Sequence, residues 1–252
     1  MNSCKNYRNN FKLKDWNVQV ISFEKDSEAI WRKRDDLVKE MCKKNNVQVI
    51  ERVSHTLYDP EDIFNLNNDS PPNTCEEMRK FCLRIGEPDK PVAKPDLAFI
   101  ASNLISNKTF YNPKLHKVPD LDHFNIQPEC KEQLEICIFE GGETKALELF
   151  KTRLENEKEA FKRGEVNPNL NFKPVVMQKD VSLSPYLRFG CLSVRKFYWD
   201  VNRAYLKYYT GPKEKHCPAE QLFWREYFYQ LSYKNENYSR IDGNPMSFKI
   251  PW

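Results

Sequence analysis

Short apolar runs flank a helix-patterned stretch near the start of the chain. Residues 18–23 (VQVISF) and 47–53 (VQVIERV) have the length and the β-branched composition of strands. Between them, residues 28–42 place apolar side chains close to helical spacing, and Asp26 or Ser27 is the expected N-cap. A strand, a helix and a second strand at this spacing predict a βαβ unit with parallel strands and a right-handed crossover. Because parallel sheets are usually covered on both faces and contain several strands, this α/β part is expected to be incomplete.

The polar stretch after the second strand contains two helix starts. Asp59-Pro60 places a proline at the first helical position, where its missing N–H costs nothing. Thr74, followed by Glu77 three residues later, matches a capping box for a helix that is expected to end near Gly86. We therefore predict two short helices before the regular pattern is lost.

No period persists from residue 87 to residue 140, where prolines recur and charges of both signs mix. This stretch is interpreted as a long connection that wraps the surface between two domains. After it, apolar residues recur every three or four positions over 143–163, and further helices are predicted over 193–208 and 218–233. The second half of the chain is therefore expected to be helical.

These elements predict the fold class α/β plus all-α. A partial, parallel, Rossmann-like domain is expected over residues 1–86, a linker over residues 87–140, and the N-terminal part of a helical domain over residues 141–252. The charges divide in the same way: up to Glu140 the chain carries 21 Lys and Arg against 23 Asp and Glu, and after it 19 against 13. A basic helical half suits a phosphate-bearing partner, either a nucleotide or a nucleic acid, although a solvated basic face explains the excess equally well.

Composition excludes several classes of protein. With 40% hydrophobic and 30% charged residues the chain has a globular composition, and no apolar run is long enough to span a bilayer. Its first residues are polar and lack the apolar core of a signal peptide, so an intracellular protein with reduced thiols is expected. Cys75 and Cys82, like Cys130 and Cys137, are too far apart for close-spaced zinc pairs, and no metal site is predicted.

The candidate chemistry lies between Val181 and Phe228, where two aromatic-rich helical segments follow a Ser-Leu-Ser-Pro turn. Polar groups packed among aromatic side chains need hydrogen-bond partners, which are supplied either by the protein itself or by a bound ligand. Both interpretations stay open from the residues alone. His55, which follows the second strand, and Arg188 are interpreted as structural. The polar residues in question are Arg188, Gln221, Trp224 and Arg225.

Several long motifs in this chain resemble the cryptochrome/photolyase family. They are FEKDSEAIWRKRD, VSHTLYDPEDI, FEGGETKAL, SLSPYLRFGCLSVRKFYW, QLFWREYFY and IDGNPMSFKIPW, which occur in the order that the family has. The resemblance covers nearly the whole chain after about Val18, with the linker diverging most, and is strongest to the insect-type, light-sensing animal cryptochromes. It implies a flavoprotein with an N-terminal α/β domain, a long linker and a helical domain that holds FAD in a bent form.

The resemblance also implies a set of cofactor-binding residues. Residues 182–184 match the stretch that contacts the FAD phosphates, which is reasonable because short hydroxyl side chains and free N–H groups surround an anion without bulk. Trp224 and Arg225 match positions by the flavin cavity, although the pair of Arg225 with Glu226 is more typical of a structural contact. Arg153 matches a cofactor-contacting arginine, or is one partner of a surface ion pair. The full set is Ser182, Leu183, Ser184, Gln221, Arg153, Trp224 and Arg225, and it contains no catalytic residue and no metal ligand.

The function that the resemblance implies is that of a photoreceptor rather than an enzyme. We expect an FAD-dependent blue-light receptor that regulates the circadian clock through protein partners, as a monomer, in the cytoplasm and nucleus and without a membrane. Two alternatives stay open: a light-independent cryptochrome that represses transcription, and a (6-4) DNA photolyase, which would be a lyase. The receptor's own tail, a partner or DNA would dock at the flavin cavity. A second chromophore is not expected.

The chain departs from the family pattern at both ends. It enters the α/β domain late, at Val18, and stops at Trp252, before the segments that surround the flavin ring and carry the family's tryptophan electron chain. We therefore expect a fragment or truncated product. Its isolated polypeptide should bind FAD weakly and purify colourless, because half a pocket makes few contacts with the cofactor. It should also tend to aggregate, because exposed strand edges can pair with another chain.

Overall fold

The computed structural model of the protein describes residues 18–99, 123, 139–166, 182–212 and 219–247. Most of the predicted linker, Cys130 and Cys137, and the last motif beyond residue 247 lie outside the described residues. In chain order the elements are β1 (Val20–Glu24), α1 (Ala29–Lys44), β2 (Gln48–Arg52), α2 (Pro60–Leu66), α3 (Cys75–Ile85), α4 (Glu143–Lys162), α5 (Ser184–Arg188), α6 (Val194–Tyr208) and α7 (Glu220–Ser232).

The two strands form the predicted parallel pair. Val20 lies opposite Gln48, and the register continues to Glu24 opposite Arg52, so the parallel pairing is confirmed. The side chains of both strands are half-buried or exposed rather than fully buried. Parallel strands normally have both faces covered. The two-stranded sheet in the described part of the chain does not, and it is therefore small and open.

The start of α1 differs from the prediction. Its N-cap is Glu28, which makes no side-chain capping bond. Asp26 instead accepts the Glu28 backbone N–H at 2.9 Å, and the Ser27 hydroxyl lies 2.6 Å from that of Ser232. A tertiary contact therefore takes the hydroxyl that the sequence suggested as a cap.

The starts of α2 and α3 follow their local signals. Asp59 accepts the backbone N–H of Glu61 at 2.9 Å, and Thr74 accepts that of Glu77 at 3.1 Å, as predicted. The reciprocal half of the capping box is shifted by one residue, because the Glu77 carboxylate accepts the N–H of Asn73 at 2.7 Å. The carboxylate still occupies the first turn, where the helix dipole favours negative charge.

The long helices of the second half are confirmed within two residues at each end as α4, α6 and α7. Ser193 caps α6 by accepting the Lys196 backbone N–H at 3.3 Å. A helical segment was expected after the Ser-Leu-Ser-Pro turn, but α5 was not predicted as a separate helix, since five residues are too few to show a period. Pro185 near its start matches the preference for proline in the first turn.

Helix α7 joins the two halves of the sequence by packing against both α2 and α3. Buried apolar side chains from all three helices meet there: Ile63 from α2, Met78 and Phe81 from α3, and Leu222 and Phe223 from α7. Residues 18–91 and 141–252 accordingly form one compact unit. Strands and helices from both predicted domains therefore belong to that unit.

Helices α4 and α6 pack against each other around a second group of aromatic side chains. The Phe161 side chain is fully buried and contacts the rings of Tyr205 and Tyr209 edge-on, with ring centroids 5.4 and 6.5 Å away. Phe150 and Phe197 lie with their centroids 5.3 Å apart. Aromatic side chains thus form part of the contact between these two helices.

Residues 1–17 and 92–140 form another unit, of which few residues are described. There, the Asp96 carboxylate accepts the backbone N–H groups of Ala98 and Phe99 at 2.9 and 3.1 Å. Across the described ranges, no helix combines the length and the apolar character needed to cross a bilayer. In those same ranges, no three histidine, cysteine or acidic side chains are grouped so that they could hold a metal ion.

Replacing Phe161 with alanine should destabilise the pair formed by α4 and α6. The change removes a fully buried ring and leaves a cavity, which typically costs about 3–5 kcal/mol of unfolding free energy. Urea unfolding followed by circular dichroism measures the loss. Leu206→Ala on α6 is the control, because that side chain is 83% exposed and its removal should change stability by less than about 0.5 kcal/mol. Equal losses in the two variants would contradict the proposed packing.

Candidate functional site

Helix α7 has a buried side and an exposed side. Gln221, Trp224 and Phe228 recur at helical spacing on the exposed side, and we call them the aromatic face. Trp224 is 51% and Phe228 54% exposed, although both side chains are large and apolar. The predicted residues Gln221 and Trp224 therefore lie together, with their side chains available to a ligand.

The predicted phosphate-contacting residues form a compact hydroxyl turn, residues 182–184, at the start of α5. The Ser182 hydroxyl accepts the Ser184 backbone N–H at 3.1 Å and donates to the Ser184 hydroxyl at 2.9 Å. Both serines are exposed, whereas Tyr186 and Leu187, which follow them, are buried. The buried pair anchors the turn and leaves its hydroxyls at the surface.

Arg225 joins three separate parts of the chain. Its guanidinium donates to the backbone carbonyl of His55 at 2.7 Å and to that of Leu187 at 3.4 Å. It also lies over the ring of Tyr229, 4.6 Å from the centroid. Its side chain is 17% exposed, so most of its donors face the protein. Of the predicted cofactor-binding residues, Arg225 is thus the one that connects α7 to the end of the hydroxyl turn's helix.

Glu226, the next residue, is buried and holds the segment that leaves the sheet. Its carboxylate accepts the backbone N–H of Leu57 at 2.8 Å and that of Tyr58 at 3.4 Å. Burial raises the pKa of the Glu226 carboxyl to about 7, although Arg225 and the two N–H donors act in the opposite direction. The interpretation of this pair as structural agrees with these contacts.

His55 and Arg188 complete a polar network around the Tyr229 hydroxyl. Arg188 donates to that hydroxyl at 2.8 Å, and the hydroxyl is hydrogen-bonded to Nε2 of His55. Arg225 also reaches Nε2, at 3.0 Å, and because a guanidinium only donates, Nε2 is the acceptor and the ring proton lies on Nδ1. Burial, and then the charge of Arg225, lower the pKa of His55 to about 4. The imidazole is therefore neutral near pH 7.

Arg153 lies on α4 and is engaged by an acidic partner on the same helix. Its guanidinium donates twice to Oε1 of Glu157, at 2.8 and 2.6 Å. Glu157 is buried, and burial raises the pKa of its carboxyl against the opposing effect of Arg153. The structure thus shows the ion-pair alternative for Arg153, in a partly buried form; its contact with a cofactor stays a prediction.

Two cavities in the described part of the chain lie away from the predicted residues. One, of about 160 Å³, lies beside α1 and is lined only by charged side chains, among them Arg32, Lys39 and Glu51. The other, of about 20 Å³, is lined in part by His55 and Tyr229. None of the predicted cofactor-binding residues lines either cavity, and their contact with FAD stays a prediction.

Sequence reasoning did not single out Tyr229, although its hydroxyl and ring organise the polar network. The signal was present, because Tyr229 follows Arg225 by four positions and therefore shares its face of α7. What the spacing could not show was which distant segments would meet that face.

Comparisons with known proteins place the chain among photolyase-like sequences. A family model described as DNA photolyase matches residues 11–96. Proteins named Cryptochrome-1 align with nearly the whole chain, at 39% identity over 95% of it for Aedes aegypti, 36% over 92% for Drosophila melanogaster and 32% over 95% for Mus musculus. These alignments cover 45%, 44% and 38% of the relatives, so the chain spans less than half the length of the curated relatives it matches.

Solved structures support the same fold. A bacterial class III photolyase from Agrobacterium tumefaciens superposes with a TM-score of 0.59 at 14% identity, over 92% of this chain and 44% of that one. A cryptochrome from Synechocystis superposes with a TM-score of 0.53 at 17% identity, over 89% and 44%. Together with the small parallel sheet and the helices, these likenesses confirm the predicted fold class of a partial α/β part and a partial helical part.

The buried carboxyl of Glu226 should make stability fall as the pH rises. Its folded pKa of about 7 exceeds the ordinary value of 4.5, so the folded form keeps a proton that the unfolded form has released. Its contribution is complete below pH 4.5, is lost as pH rises to about 7 and then stays constant. Urea unfolding should show the wild type losing up to about 3 kcal/mol over that window relative to Glu226→Gln.

The Gln variant is the matched control, since it keeps the size of the side chain and cannot titrate. His55 is present in both proteins, so its own titration cancels in the difference. Parallel stability curves from pH 4 to pH 8 would show that the Glu226 carboxyl has an ordinary pKa.

Proposed function

We propose a function from one premise: this chain belongs to the cryptochrome/photolyase family, whose members bind flavin. The proposed function is that of an FAD-dependent blue-light photoreceptor of the cryptochrome type, which regulates the circadian clock through protein partners in the cytoplasm and nucleus. The identities support this choice, since the insect Cryptochrome-1 proteins reach 36–39% and the mouse protein 32%. The resemblance noted in the sequence associates the insect type with light sensing.

One structural observation carries the proposal: the hydroxyl turn and the aromatic face are tied together. The Arg225 guanidinium, which lies on the same helix as the aromatic face, donates to the carbonyl of Leu187 in the helix that follows the turn. Residues 182–184 and Trp224 come from distant parts of the sequence, and this bond holds their two elements in contact. A ligand with a phosphate part and a planar ring part needs two such surfaces held at a fixed separation.

The side chains present fit FAD in their chemistry. Ser182 and Ser184 offer exposed hydroxyls, which suit phosphate oxygens. Gln221 is exposed, and its amide makes no hydrogen bond to any other described residue, so it can bond to the polar edge of a ring. Trp224 presents a large ring on which a planar group can stack. When bound, FAD would supply blue-light absorption and one-electron chemistry.

The remaining predicted residues have narrower roles in the proposal. Leu183 occupies the N-cap position of α5, between the two serines, and would contribute its backbone N–H rather than its side chain. Arg153 would contribute positive charge near the cofactor, offset by its bond to Glu157. The protein partners are clock proteins, which would dock where the flavin cavity opens.

A flavin titration tests the ligand. The purified 252-residue chain should be colourless, yet added FAD should bind saturably and weakly, with its fluorescence quenched by the nearby indole of Trp224. Trp224→Ala should weaken binding by about 1–3 kcal/mol, roughly five- to 150-fold, because a stacking surface is lost. Trp31→Ala is the matched control, since Trp31 is 38% exposed on α1 and should leave the affinity unchanged. Lack of saturation in the wild type would refute the assignment of FAD.

A second experiment separates the photoreceptor from its alternatives. The FAD-loaded protein is mixed with clock proteins of the same organism in the dark and under blue light, and binding is measured by co-purification. Stronger binding under blue light is expected. Equal binding in light and dark would instead support a light-independent repressor. Tight binding to duplex DNA that carries a (6-4) product, with a steep dependence on salt, would support a photolyase.

A further inference from the structure

We propose that Arg225 is a positioning residue, which sets the distance between the hydroxyl turn and the aromatic face without itself contacting the ligand. The inference rests on the proposed function and deepens it. It changes the role of Arg225 from a cofactor contact to a support for the two surfaces that contact the cofactor.

The guanidinium of Arg225 contacts both His55 and Leu187. One nitrogen of Arg225 lies 2.7 Å from the His55 carbonyl, and the other lies 3.4 Å from the Leu187 carbonyl and 3.0 Å from Nε2 of His55. The planar guanidinium spreads its donors over separate nitrogens, so it reaches acceptors that lie apart, whereas the ammonium of lysine places its three donors on a single nitrogen. The donors are thus directed at other groups of the protein, and they link the segments of His55 and Leu187, which lie more than a hundred residues apart in the sequence.

A second set of contacts holds the same end of α5. Arg188, the last residue of α5, donates to the Tyr229 hydroxyl at 2.8 Å and to the Glu28 carboxylate at 3.2 Å. Arg225 and Tyr229 lie one turn apart on α7. Helix α5 is therefore held to α7 through its last two residues, Leu187 and Arg188, and the hydroxyl turn lies at its other end.

Glu226 makes α7 a fixed base for these contacts. Its carboxylate is bound by the backbone N–H groups of Leu57 and Tyr58, so α7 cannot rotate without leaving a buried acid unsatisfied. The aromatic face and Arg225 belong to one rigid helix. Moving the hydroxyl turn relative to the aromatic face therefore requires breaking the bonds that Arg225 and Arg188 make.

A positioning role has a distinct consequence for binding. A ligand that spans both surfaces gains from their correct separation, because its second contact forms at a high effective concentration. A ligand that touches one surface gains nothing from that separation. Loss of positioning should thus weaken the binding of FAD and leave the binding of its two separate halves unchanged.

The experiment compares three ligands on the full chain by calorimetric or fluorescence titration: FAD, inorganic pyrophosphate and riboflavin. Arg225→Lys should weaken the affinity for FAD about ten- to a hundredfold. The affinities for pyrophosphate and riboflavin should stay within about twofold of the wild-type values. Arg203→Lys is the matched control. The Arg203 side chain is 75% exposed, and its ion pair with Asp200, at 3.6 Å, lies within one helix. This variant should bind all three ligands as the wild type does.

Arg188→Lys supplies a second variant in case Arg225→Lys does not fold. It replaces the two nitrogens that bond to Tyr229 and Glu28 with a single one, and it should weaken the binding of FAD in the same selective way by a smaller factor. Circular dichroism confirms that each variant is folded at the temperature of the titration.

The other outcomes overturn the proposal in distinguishable ways. If pyrophosphate is weakened together with FAD, Arg225 contacts the phosphates directly. If all three ligands are weakened equally, Arg225 only stabilises the fold. If FAD is unaffected, the bonds of Arg225 do not set the separation. If the wild type binds no FAD, the proposed function fails first, before any variant is compared.

Discussion

Hydrogen bonds to one buried acidic side chain, Glu226, join the two halves of this sequence. Glu226 accepts the backbone N–H groups of Leu57 and Tyr58, and an ionisable group so deeply buried would be costly without those bonds. The two residues lie in the segment that leaves β2 and leads into α2, so the bonds fix α7 against the end of the sheet. Arg225 strengthens the same joint from the next position by donating to the carbonyl of His55. These bonds act together with the apolar packing of α7 on α2 and α3.

The bonds of Glu226 also determine which side of α7 is exposed to solvent. Successive residues of a helix are about 100° apart, so fixing Glu226 inward directs Gln221, Trp224 and Phe228 outward. Turning the helix to bury Trp224 would expose the Glu226 side and break its two backbone bonds. The exposure of a large aromatic side chain is therefore a consequence of a polar contact on the opposite side of the helix. No local preference of tryptophan is needed to explain it.

The sequence predicted the features that depend on neighbouring residues and missed those that depend on distant ones. The strands, the long helices and the cap at Thr74 follow from local spacing, and all are present. Ser27 was expected to cap α1, but its hydroxyl lies beside that of Ser232, 205 positions away, which no local pattern could show. In the candidate site, the resemblance named Gln221 and Trp224 as cofactor-binding residues. It could not show that Arg225 would direct its donors toward the Leu187 carbonyl.

The dependence on distant contacts has a thermodynamic consequence for the site. Helix α5 has five residues and would not be stable alone, because forming the first helical turn costs more than it returns. Its position relies on the burial of Tyr186 and Leu187 and on the bonds of Arg188 and Arg225. A ligand that bridges the hydroxyl turn and the aromatic face would stabilise that same arrangement. By linkage, the contacts between α5 and α7 strengthen ligand binding by the same free energy with which the bound ligand strengthens those contacts. Binding and the association of the two halves are thus coupled equilibria, each of which stabilises the other.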